Sequence, residues 1–134
     1  MSRTPSIRRS RRTGPGLGYG VVKAAQGVAA HIGFSAASDD ASDNVRAHAV
    51  HISTSAGNVV GWAEAALKFA ARVKSATYRN TTQFNAGKIV KLLRQIVNGV
   101  DANEDGSVSW EEGEGGLAQA EQHMGFMLKG EGLT

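Results

Sequence analysis

The chain predicts an all-α fold, a four-helix bundle, and three observations carry that prediction. Apolar residues recur at spacings of three and four through most of residues 19–128, the period of an amphipathic helix. Proline occurs only at Pro5 and Pro15, so no ring interrupts a helix beyond residue 15. Hydrophobic content is 41% but aromatic content only 6%, which describes a core of alanine and small aliphatics suited to close helix contact. The 134 residues have room for one helical domain, 19–134, behind a basic arm, 1–18.

The first helix is expected over residues 19–37, after the glycine-rich entry at 14–20. Val21, Ala25, Val28, Ile32 and Ser35 form one line along it, with Ala24 and Ala29 alongside. Serines and aspartates from Ser38 to Asn44 then break the pattern. Ser38 or Ser42 can cap the next helix, and Asp43 suits the positive end of its dipole. The second helix is expected over 43–76, with Gly57 as a candidate break. Its seam runs Val45, Ala49, Ile52, Ala56, Val59, Ala63, Ala66, Ala70 and Val73, in alternating steps of four and three. Sustained over about four heptads, such a seam packs knobs into holes.

Residues 77–82 read as a turn, with Asn80 and Gln83 spaced as a capping box opening the third helix. Its buried stripe is expected to be Ile89, Leu92, Leu93, Ile96 and Val100. A second capping box, Ser109 and Glu112, opens the fourth helix, which is expected to bury Leu117, Ala120, Met124 and Leu128.

Between the last two helices lies D-A-N-E-D-G-S-V-S-W-E-E, residues 101–112. It satisfies D-x-[DN]-x-[DN]-G-x5-E at every defined position. A hard cation such as Ca2+ takes six to eight oxygens at flexible geometry, and this spacing supplies them. Asp101, Asn103 and Asp105 offer side-chain oxygens, Ser107 its carbonyl, Ser109 a contact through water, and Glu112 both carboxylate oxygens. Gly106 stands where the chain must turn sharply. The segment resembles the EF-hand family over residues 84–128; the rest of the chain resembles no family we identify. The resemblance implies bound Ca2+ as the cofactor and a calcium-binding bundle in which the ion orders and fastens the last two helices.

EF-hands usually pair, but no second loop is present. Starting at Asp39 puts Asn44 at position 6 and Val50 at position 12; starting at Asp40 puts Val45 and His51 there. Helices 1 and 2 must then cover the surface of the single hand, or a homodimer must pair two loops. Gly113, Gly115, Gly116 and Gly125 fall on the expected fourth helix, at about 1 kcal/mol each relative to alanine. That helix is therefore expected to order only when Glu112 closes on the ion. Met124, Phe126 and Met127 allow a calcium-regulated adaptor with an apolar face for a protein partner; helical spacing favours Met124 and Met127 as core.

His31, His48, His51 and His123 are the remaining ligand candidates, for a transition metal or haem. The sequence holds no C-x-x-C-H for attached haem, no E-x-x-H pair for a di-iron site and no cysteine at all. No serine lies in a nucleophile elbow, and GPGLGYG lacks the lysine of a phosphate loop, so an enzyme is not expected.

Charge is uneven. Residues 1–12 hold five arginines and no acid, whereas residues 101–134 hold eight acids against Lys129. The arm is expected to be a disordered, solvated tail, with contact to nucleic acid or acidic lipid as the alternative. The run after Arg11-Arg12 is too glycine-rich for a secretory signal, which leaves the location open: cytoplasmic, or periplasmic or extracellular if a leader has been removed. No apolar stretch approaches the ~18 residues of a transmembrane span.

Overall fold

A computed structural model describes residues 19–134; the expectations for the arm at 1–18 lie outside the described residues. Four helices follow in order: α1 (Val21–Ala37), α2 (Asp43–Ser75), α3 (Arg79–Asn98) and α4 (Leu117–Gly130). Among the described residues there is no strand, and none of these helices is long and apolar enough to cross a membrane.

The 33-residue α2 is the axis of the bundle, because α1, α3 and α4 all pack on it while α3 and α4 touch each other little. Its seam is buried as the spacing predicts at Ala49, Ile52, Ala56, Val59, Ala63 and Ala66, though Ala70 is exposed beyond the reach of its neighbours. Alanine at every second seam position lets three helices approach one. Gly57 causes no break: it and Gly61 face open space, and the helix runs through both. Ser42 caps it, its hydroxyl accepting from the Val45 N–H at 3.1 Å. Asp43 in the first turn and Arg72 and Lys74 in the last complement the dipole.

The core divides along α2. Towards its C-terminal half, Val59 and Ala63 meet Ala25 of α1 and Ile96 of α3, with Trp62 alongside. Towards its N-terminal half, Ala49 and Ile52 meet Ile32 of α1 and Met127 of α4, with Met124 and Ala120 partly buried. Met124 and Met127 are thus core, as their spacing predicts, while Phe126 is 47% exposed.

Several expectations are corrected. The inward face of α1 is Val22, Ala25, Ala29, Ile32 and Ala36, so Val21, Val28 and Ser35 lie outside it. Small residues at 29 and 36 allow the closer approach, and the helix rotates to use them. Leu93 and Leu117 are exposed rather than core. The Asn80–Gln83 box does not form, because α3 already starts at Arg79 and Asn80 bonds only to the adjacent Thr81 N–H. Nor does the Ser109–Glu112 box form, since α4 begins at Leu117. Gly113, Gly115 and Gly116 consequently precede the helix instead of weakening it.

Candidate metal-binding loop and histidine cluster

Helix α3 stops at Gly99, whose φ of +73° a side chain would resist. Val100 N–H then donates to the Glu114 carbonyl at 2.9 Å, drawing together the ends of the segment between them. Within it, Asp101 accepts from the Asp105 N–H (3.1 Å) through Oδ1 and from the Gly106 N–H (2.8 Å) through Oδ2. Asn103 Oδ1 accepts from the Asp105 N–H at 3.0 Å, and Asp105 Oδ1 accepts from the Ser107 N–H (2.9 Å) and hydroxyl (2.7 Å). Gly106 takes φ +90° at the sharp turn. The Ser107 hydroxyl, then its N–H, hold the Asp105 carboxyl below the ordinary range.

The structure separates the expected ligands. Asp101, Asn103, Asp105 and Ser107 form one hydrogen-bonded turn, but Glu112 is exposed and outside it. The buried carboxylate is Glu114, 2% exposed. Its Oε1 accepts from the Asn103 N–H at 3.2 Å, and its Oε2 from the Ser109 N–H (3.0 Å) and hydroxyl (2.7 Å). The Ser109 hydroxyl, ahead of these backbone donors, lowers its pKa and keeps it ionised. Segment 101–114 carries six acids and no base, and no lysine or arginine among the described residues pairs with them.

Helix α2 anchors the closing end of this segment. Asn58 Nδ2 donates to the Glu111 and Gly115 carbonyls, both at 2.9 Å, and its Oδ1 accepts from the Gly113 N–H at 2.9 Å. Ser55, one turn earlier and fully buried, donates to the Trp110 carbonyl at 3.4 Å. Gly116 sits against the end of α3, where a Cβ would come within 2.6 Å of the Gln95 carbonyl and 2.8 Å of the Ile96 carbonyl. Gly115 is equally tight against Ser55 and Trp110. Sequence reading missed Asn58 and Glu114. The available signal was Ser55 and Asn58, two polar residues three apart beside an otherwise apolar seam.

Trp110 carries the loop to a second group. Its ring stacks on His51, centroids 4.0 Å apart and planes at 23°. His48 and His51 lie one turn apart on α2 and face His123 of α4, whose Nδ1 is 3.1 Å from the Nδ1 of each. All three rings are half-buried, and Phe126 packs beside His48 and His123. One ligand atom from each histidine lies within 4.8 Å of the others; among the described residues no three loop carboxylates form such a group. Burial first, then the charge on His48, lowers the His51 pKa; His123 falls through burial, then His51 and His48. His31 does not join them. It is exposed, on a groove lined by Tyr19, Val28 and Met124.

Comparison of the chain with protein-family models, curated proteins and solved structures finds no match.

Proposed function

We propose that this is a calcium-binding helical domain in which one Ca2+ neutralises segment 101–114 and fastens it between α3, α2 and α4. The observation that carries the reading is the fold of the acidic turn. Asp101, Asn103 and Asp105 hold the backbone N–H groups of residues 105–107, which bends the chain around these side-chain oxygens. Every donor offered is a hard oxygen, the ligand chemistry of Ca2+ and not of softer metals. Six acids, none paired with a lysine or arginine among the described residues, supply the charge that a divalent ion offsets.

Asp101, Asn103, Asp105 and the Ser107 carbonyl would hold the ion, with Ser109 at the rim. We assign the closing carboxylate to Glu114, because it is buried against Asn103 and Ser109 while Glu112 faces solvent. The ion then acts as a staple. Its binding stabilises the bundle by mass action, increasingly as the ion concentration rises above the dissociation constant, because only the folded turn gathers the ligands. The core positions of Met124 and Met127 favour this role over an adaptor that exposes them.

The test is a Ca2+ titration of chelator-stripped protein and two variants. Glu114→Gln should weaken binding by at least about tenfold, and Glu112→Gln by much less. The reverse order would return the closing role to Glu112, and no binding by the parent chain would overturn the reading.

A further inference from the structure

We propose that His48, His51 and His123 form a three-imidazole site for one divalent transition-metal ion of the zinc class, separate from the calcium loop. The two Nδ1···Nδ1 distances of 3.1 Å are the starting point. At the usual Zn–N length of about 2.0–2.1 Å, a tetrahedral centre separates its nitrogens by about 3.3–3.4 Å. Two of the three nitrogen pairs therefore stand within a few tenths of an ångström of the spacing one ion imposes. The third pair completes a group with every ligand atom within 4.8 Å.

Hydrogen bonding alone accounts poorly for this arrangement. A neutral imidazole nitrogen offers one proton or one lone pair, never both. The single Nδ1 of His123 faces two other Nδ1 atoms, so at most one contact is a well-formed hydrogen bond. The other either shares a lone pair or opposes like groups. A cation at the common centre satisfies all three lone pairs together.

The setting suits that ion. His48 and His51 are presented by one rigid helix with the i, i+3 spacing that puts them on one face, and His123 comes from the helix packed against it. Trp110 and Phe126 wall the group with apolar surface, while Met127 and Ile52 lie in the core beneath α4. Burial favours the neutral rings of His51 and His123, which keeps their lone pairs available. With no carboxylate or thiolate in the group, the donors are all imidazole, which suits Zn2+, Cu2+ or Ni2+ and excludes a hard-cation preference. Three protein ligands leave a fourth position for water or an added small ligand.

The probe is Co2+ added to the untagged, chelator-stripped full chain, followed by Zn2+ displacement. The expected result is one Co2+ per chain with the intense visible absorption of a four-coordinate nitrogen site, bleached by stoichiometric Zn2+. His123→Ala and His48→Gln should each abolish the bands, or weaken binding beyond the roughly 10–100-fold cost of losing a supporting partner alone. His48→Gln provides the decisive variant if His123→Ala loses helix content. His31→Ala and Asp101→Asn should leave the bands intact, the latter separating this site from the calcium loop. Absence of bands in the parent chain, or bands surviving both His48→Gln and His123→Ala, would overturn the proposal. So would loss in His31→Ala equal to that in His123→Ala.

Discussion

Asn58→Ala should destabilise the protein more than any other polar-to-alanine change on α2. The side chain makes three hydrogen bonds, to Glu111, Gly113 and Gly115, and all three hold the return of the acidic segment. A typical intramolecular hydrogen bond contributes about 0.5–1.5 kcal/mol net, so the gross loss lies at about 1.5–4.5 kcal/mol. Glu111 and Gly113 are exposed and water can replace Asn58 there, but Gly115 is buried and its carbonyl would be left without a donor. We expect a loss of about 2–3 kcal/mol. For a chain of this length that lowers the thermal midpoint by about 8–12 °C, at about 4 °C per kcal/mol. The assay is thermal and urea unfolding followed by circular dichroism. Ser53→Ala is the control, a polar-to-alanine change on the same helix at a side chain bonded only to the Val50 carbonyl one turn before it. A loss below about 0.5 kcal/mol, equal to the control, would refute the claim that Asn58 anchors the segment.

Three further outcomes follow from the same contacts. Gly116→Ala should destabilise by about 1–3 kcal/mol or more, because a Cβ would press on the terminal carbonyls of α3; Gly57→Ala, in open space, should be neutral or stabilising by up to about 1 kcal/mol, as urea midpoints would show. Ile52→Ala, which empties the core cluster at the N-terminal half of α2, should cost about 2–5 kcal/mol in the same assay. In chelator-stripped protein, stability should fall on acidification below pH 6.5. His51 and His123 have folded pKa values below the ordinary 6.5, so the unfolded chain takes up protons first; the stabilisation is complete above 6.5 and is lost as pH falls towards the folded values. A His51→Asn, His123→Asn double variant should show a flatter midpoint as pH falls below 6.5.

The sequence shows the α-helical architecture and most of α2 plainly, because one unbroken seam from Ala49 to Ala66 faces three neighbours and its periodicity has no competing solution. It shows α1 less well. There the valines at 21 and 28 outweigh alanines 29 and 36 in hydrophobicity, but the bundle selects the small residues for close approach. The start of α4 is illegible for a related reason. Glu112 fits the loop pattern by spacing alone, whereas the fold is set by Gly113 at φ +83° and by the close contacts of Gly115 and Gly116, which delay the helix until Leu117. That delay moves the buried carboxylate to Glu114. The histidines are legible as candidates; only the docking of α4 on α2 distinguishes the three that converge from His31, which does not.

Amide resonances followed during Ca2+ addition would report whether the turn at 101–107 is the calcium site. Gly106 is the informative probe, since its N–H is held by Asp101 Oδ2 at 2.8 Å within the proposed ligand set. A Ca2+ ion bound in this turn should give a large Gly106 shift that saturates at one Ca2+ per chain, with neighbouring changes confined to residues 99–116 and α4 little altered. Small, unsaturating shifts spread over the acidic surface, with Gly106 unmoved, would contradict it.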